Sequence, residues 1–254
     1  MNYIIFDLEF NQGWDKQENK VIINSKNPFE IIQIGAVKLD ENLNMVSSFN
    51  RLVKPKTYRQ INPYVRKITN ISMKQLNEAE DFKNIWKKFM KFFTDDRNVL
   101  GVWGTSDIKE LLRNIEYHKL DSSIVPREYI NIQYYASKYF NLHKGKNIGL
   151  KNAVELLNIT VNNEFHDAFY DACYTVEVFK KIYNEKIQPQ IYNPPKRGRK
   201  NRYDENKEVD FEGLIKQFEK MFQRKMSPEE KSMIKLAYIM GKTNQFLKES
   251  KKKE

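Results

Sequence analysis

The chain opens on an apolar run, Tyr3-Ile4-Ile5-Phe6, which ends in Asp7-Leu8-Glu9. A short run this rich in β-formers predicts a buried strand. Residues 11–27 are polar and predict a loop. Apolar runs at 31–39 and 45–53 predict two more strands, and Asp40-Glu41-Asn42 between them has hairpin chemistry. The period then lengthens. Residues 62–69 and 74–79 fit helices, and Phe82, Ile85, Trp86, Phe89, Phe92 and Phe93 recur at helical spacing, an aromatic stripe that predicts core. A fourth strand is predicted at 99–103, followed by a helix over 107–117. A fifth strand at 129–132 leads into a helix through Phe140, and helices over 149–157 and 167–183 complete the region. Three early strands followed by strands alternating with helices predict an α/β fold, a mixed five-stranded sheet flanked by helices.

The pattern changes near Glu185. Gln188-Pro189 and Asn193-Pro194-Pro195 break helices, and Lys196-Arg197-Gly198-Arg199-Lys200 is a basic run. Residues 1–187 therefore read as the main domain, 188–207 as a basic, proline-containing linker and 208–254 as a helical, basic C-terminal extension. Within the extension, 211–222 and 228–247 have helical periodicity. Ser227, Pro228 and Glu230 form a capping-box signature. Two such helices bury little by themselves, which predicts docking on the main domain, on a protein partner, or in a homodimer.

Charge sharpens this division. The net charge is +11, and residues 186–254 hold 18 Lys and Arg against 10 Asp and Glu, while the rest holds 26 against 23. A basic excess favours polyanionic partners, nucleic acid before acidic membrane. Lys196, Arg197, Arg199 and Lys200 are candidate contacts to a nucleic-acid backbone. Their Arg-Gly-Arg core is that of minor-groove hooks, but the proline that usually follows is missing, so nonspecific phosphate contact is the expectation. Lys251-Lys252-Lys253 reads as a solvated tail. The single cysteine, Cys173, rules out an internal disulfide and any multi-cysteine zinc site, and its apolar helical setting predicts core packing. No run is long enough to span a bilayer, and the N-terminus lacks a signal-peptide pattern; a cytoplasmic address is expected.

Three constellations carry chemistry. Asp7 and Glu9, two apart on a strand, share one face. Two carboxylates there need compensation, for which an oxygen-preferring divalent cation is suited; a strand that frays after Phe6 is the alternative. Asp107 follows a strand and a glycine-bearing turn, where α/β proteins place ligand groups, although a helix-start acid often serves only the macrodipole. Finally, Phe165-His166-Asp167-Ala168-Phe169-Tyr170-Asp171 places one of only three histidines before an acidic helix start. Asp167 suits a helix cap and Asp171 a ligand one turn further in. A histidine, ordinarily titrating near pH 6.5, suits a general base, or is simply exposed beside capping acids.

In this order, Phe-Asp-Leu-Glu at 6–9, an Asp after a strand at 107 and His-x-x-x-x-Asp at 166–171, the sequence resembles the DnaQ-like exonucleases of the DEDDh type. Stretches 30–37, 52–55, 67–71 and 149–153 also match. The likeness covers roughly residues 1–185 and looks closest to the ERI-like and KapD-like branch. It departs at Phe10, where Thr is usual, and at Thr69-Asn70-Ile71, where Thr-Gly-Ile is usual. The resemblance implies a ribonuclease H-like fold and a 3′→5′ exonuclease that acts on single-stranded RNA or DNA with two divalent ions, Mg²⁺ or Mn²⁺. It further implies Asp7 bridging both ions, Glu9 and Asp171 on the water-side ion, Asp107 assisting the other, and His166 as base. Leu8 and Phe10 flank Glu9 as candidate contacts to the terminal base. A catalytically silent nucleic-acid adaptor and a polymerase-associated editing subunit docked through 208–254 are the alternatives.

Overall fold

A computed structural model describes residues 1–15, 20–22, 24, 26–93, 97–143, 145–194 and 210–242. The chain divides into two compact units, Met1–Pro194 and Pro195–Glu254.

The first unit begins with β1 (Asn2–Asn11), a short hairpin of β2 (Gly13–Asp15) and β3 (Lys20–Ile22), then β4 (Glu30–Leu39) and β5 (Met45–Leu52). Helices α1 (Pro63–Thr69), α2 (Met73–Glu78) and α3 (Phe82–Phe89) follow. Then come β6 (Asn98–Val102), α4 (Ser106–Tyr117), β7 (Glu128–Asn131), α5 (Ile132–Tyr139), α6 (Leu150–Leu156), α7 (Ala168–Ile182) and β8 (Gln190–Ile191). The main sheet has the order β5-β4-β1-β6-β7-β8. β1 lies antiparallel to β4 and parallel to β6, and β7 continues parallel to β6.

The sheet alternation of β1 divides the core into two layers. Ile4, Phe6 and Leu8 meet Trp86 and Phe89 of α3 and Ile108 and Leu111 of α4 on one face. Tyr3 and Ile5 meet Ala136 of α5, Val154 of α6 and Phe179 of α7 on the other. Cys173 packs partly buried against this second layer. The expected mixed sheet with flanking helices is present.

Three features differ from expectation. The sheet has six strands rather than five, because Gln190–Ile191 pairs antiparallel with the end of β7. Pro189 is tolerated there because an edge strand need not donate from every residue. Residues 188–194 thus fold with the first unit: Tyr192 is buried against Tyr129, and its N–H donates to the Arg127 carbonyl at 2.8 Å. Within the expected 11–27 loop, Gly13 to Asp15 pairs with Lys20 to Ile22, a hairpin too short to leave a periodic signal.

In the second unit, α8 (Phe211–Phe222) and α9 (Pro228–Lys242) form, with Phe211 edge-on to Tyr238 at 5.4 Å. The capping box is present: the Glu230 N–H donates to Ser227 Oγ at 3.2 Å, and the Ser227 N–H to Glu230 Oε2 at 2.9 Å. Lys196, Arg197, Arg199, Lys200 and Lys251 to Lys253 lie outside the described residues. Among the described residues no helix is long and apolar enough to cross a membrane.

Candidate active site

β1 carries the first two carboxylates on the face covered by α7. Asp7 stands opposite Gly35 of β4, and Glu9 opposite Gln33. β6, the parallel neighbour of β1, ends just before Asp107 in the first turn of α4, where the Asp107 side chain is only 8% exposed. Three acids therefore gather at the carboxyl ends of two adjacent parallel strands, where open α/β sheets place ligand sites.

The fourth arrives on α7, which approaches the sheet over a glycine. A Cβ on Gly35 would stand 2.2 Å from the Phe169 nitrogen, so only glycine lets the helix start so close. Asp167 caps that start, with Oδ1 accepting from the Phe169 and Tyr170 N–H groups at 3.0 and 3.2 Å. The buried side chain of Gln33 locks the cap to β4. Its Nε2 donates to Asp167 Oδ2 at 2.9 Å and to Asn50 Oδ1 at 3.1 Å, while its Oε1 accepts from the Ala168 N–H at 3.2 Å. Asp171 then lies one turn inside α7, 9% exposed.

His166 precedes the cap in the left-handed region, φ 70°, a conformation that costs a non-glycine residue about 1 kcal/mol or more. Its backbone N–H donates to Asp171 Oδ2 at 3.1 Å, which holds the turn, and its side chain stays exposed. Across the rim, Asn70 ends α1 in the same left-handed region, and its Nδ2 donates to Glu164 Oε2 at 2.9 Å. The Thr69-Asn70-Ile71 departure thus ties α1 to the loop that carries His166.

The electrostatics are those of a crowded acidic site. Burial, then the fields of Asp107, Glu9, Asp171 and Asp167, hold the Asp7 carboxyl well above the usual range. Burial and then Asp171, Asp107 and Asp167 push Glu9 up to about 9. Burial and Glu110 raise Asp107 to about 7, and burial raises Asp171 to about 6 against the opposing hydrogen bond from the His166 N–H. Glu9, His166 and Asp171 each offer a ligand atom within 4.8 Å of the others. Asp171 Oδ1 is buried with no hydrogen-bond partner, which a cation would supply. Oxygen-rich and anionic, this donor set fits a hard divalent ion.

The candidate contacts to the terminal base fare differently. Leu8 points into the core layer opposite Asp7 and Glu9 and is 4% exposed, so strand alternation removes it from the site. Phe10 packs partly buried against that same layer, edge-on to Phe29 at 6.2 Å. Gln33 and Gly35 were not singled out from sequence. A polar residue and a glycine inside an otherwise apolar strand were the available signal.

The sequence matches the Exonuclease family RNase_T over residues 4–179. It is 24% identical over 195 residues to the probable 3′-5′ exonuclease KapD of Bacillus subtilis (strain 168), covering 76% of this chain and 89% of that one. The fold resembles the nuclease domain of 3′hExo, a DEDDh family member solved bound to rAMP, with TM-score 0.63 and 18% identity over 76% of this chain and 97% of that one. It also resembles cell-death related nuclease 4, with TM-score 0.61 and 17% identity over 75% of this chain and 66% of that one. With most of its length matched, the chain belongs to the RNase_T exonuclease family and is a nuclease.

Proposed function

We propose that the protein removes nucleotides one at a time from the 3′ end of single-stranded nucleic acid, releasing nucleoside 5′-monophosphates. The observation that carries this reading is the convergence of Asp7, Glu9, Asp107 and Asp171 in one shared field, with the exposed His166 at its rim. Asp7, central to that field, suits a ligand shared between two cations. Glu9 and Asp171 suit the ion on the water side, and Asp107 the other. Divalent ions held there would neutralise the phosphate and lower the pKa of a bound water. His166 accepts a proton from the attacking water as the water oxygen bonds to phosphorus, the bond from phosphorus to the 3′ oxygen breaks, and that oxygen takes a proton from solvent to leave as the 3′-hydroxyl of the shortened strand. The left-handed turn at His166, tied to Asp171, orients the imidazole without burying it.

The test uses a 3′-labelled single-stranded oligonucleotide, DNA and RNA in parallel, with Mg²⁺ or Mn²⁺ and an EDTA control. Labelled mononucleotide should appear first and vanish with His166→Ala and Asp7→Ala. Activity that survives Asp7→Ala would sink the metal assignment.

A further inference from the structure

Beyond the carboxylates, β1 leads toward a surface cleft. A cleft of about 490 Å³ is lined by Gly13 and Trp14 of β2, Ile22, Asn24, and residues Thr57 to Gln60. Such a volume lies within the range of small-ligand sites and admits a nucleotide. Its floor is rigid. Gly13 lies so close to the Tyr58 ring that a Cβ would stand 2.6 Å from Tyr58 Cε1. The Tyr58 hydroxyl donates to the Asn27 carbonyl at 3.1 Å and accepts from the Asn24 N–H at 2.9 Å.

This cleft lies a short way along β1 from the active site. Gly13 is the fourth residue after Glu9, so their Cα atoms are no more than about 14 Å apart. Asn11, fully buried between them, donates from Nδ2 to the Gln60 carbonyl at 2.9 Å and accepts at Oδ1 from the Asn62 N–H at 3.0 Å. The strand that holds the carboxylates is therefore pinned to the cleft wall. The chemistry suits one ligand class. Trp14 is a partly exposed aromatic face on which a base can stack. Arg59 is exposed and makes no ion pair among the described residues, leaving its guanidinium for a phosphate. A polyanionic strand approaching an acidic site needs cationic contacts nearby, and Arg59 supplies one.

We propose that the Trp14–Arg59 cleft binds a nucleotide of the same single strand, a few residues 5′ of the scissile phosphate, through base stacking on Trp14 and a phosphate contact from Arg59. The proposal rests on the exonuclease reading above, and its test is arranged to fail separately. Full-length wild type, Trp14→Ala, Trp14→Phe and Arg59→Ala are compared in two assays. Fluorescence anisotropy measures affinity for single-stranded oligonucleotides of increasing length. Hydrolysis of the p-nitrophenyl ester of thymidine 5′-monophosphate reports on the catalytic centre alone. Wild-type affinity should rise with length until the cleft is filled. Trp14→Ala and Arg59→Ala should each weaken long-strand binding about fivefold to tenfold and flatten the length dependence. Trp14→Phe should retain most of the affinity, and all variants should hydrolyse the small ester within about twofold of wild type. Unchanged affinity in Trp14→Ala and Arg59→Ala overturns the cleft. A wild type that hydrolyses neither the 3′-labelled oligonucleotide nor the ester overturns the exonuclease reading, while the anisotropy comparison still decides the cleft.

Discussion

Gly35 and Ala168 stand in backbone contact across the sheet and the start of α7: a Cβ on Gly35 would sit 2.2 Å from the Ala168 carbonyl carbon. Gly35 is also the ladder partner of Asp7, so this contact sets how far Asp171 lies from the β1 carboxylates. Gly35→Ala cannot be absorbed by a rotamer, because the clash is with backbone. It should destabilise by about 1–3 kcal/mol, as overpacking does, and push α7 outward. Thermal unfolding should show a lower Tm, and nuclease activity should fall by more than the stability change accounts for. A Gly35→Ala protein with wild-type activity would show that α7 does not set the spacing.

Gln33 acts on the same helix from two residue pairs further along the ladder. Its amide makes three hydrogen bonds, to Asp167, Asn50 and the Ala168 N–H. Gln33→Leu keeps the volume and removes all three, leaving the buried Ala168 N–H unpaired at about 1–3 kcal/mol. Gln33 is a positioning residue, so kcat should fall while KM for an oligonucleotide changes little. Steady-state kinetics at saturating Mg²⁺ measure this, and a change confined to KM would contradict it.

The two halves of this site were unequally legible in the sequence. Asp7 and Glu9 announce themselves by strand parity, and Asp107 and Asp171 by their places at helix starts, all local signals. The roles of Gln33 and Gly35 depend on residues more than 130 positions away, through contacts such as Gln33 to Asp167, and no local period reports them. Leu8 and Phe10 were drawn to the site by adjacency to Glu9. Alternation along β1 sends them to the opposite layer. The β2–β3 hairpin escaped because three-residue strands carry too few positions to alternate. Residues 188–194 resembled a linker through their prolines, while the burial of Tyr192 depends on Tyr129 in a distant strand.

The same stretch sets where the chain can be cut. Ile187 and Tyr192 are both buried in the first unit. A protein ending at Pro194 keeps them, and one ending at Glu185 loses them, together with β8. Losing two large buried side chains costs about 3 kcal/mol or more. The Glu185 truncation should therefore melt several degrees below the Pro194 truncation in a direct comparison of Tm. Equal Tm values would mean that β8 and Tyr192 contribute nothing to the first unit.

The raised carboxyls make a prediction in which pH and metal are coupled. Glu9 is raised to about 9, Asp107 to about 7 and Asp171 to about 6. Unfolded, such groups titrate near pH 4. Between those limits the folded protein holds protons that the unfolded chain has released. Without a divalent ion, these groups therefore favour the fold at low pH. Their contribution is lost as pH rises, from about 4 up to each raised value. A bound cation needs the ionised carboxylates, so protons compete with it and its affinity grows with pH. In EDTA, Tm should fall between pH 5 and 9, and the increase in Tm on adding Mn²⁺ should grow over the same range. Groups elsewhere in the chain contribute equally with and without the ion, so the difference between the two curves isolates the site. Asp7→Asn removes the acid at the centre of the field, and should both raise Tm in EDTA at pH 8 and shrink the Mn²⁺ increment. A Mn²⁺ increment independent of pH, or untouched by Asp7→Asn, would place the ion away from these carboxylates.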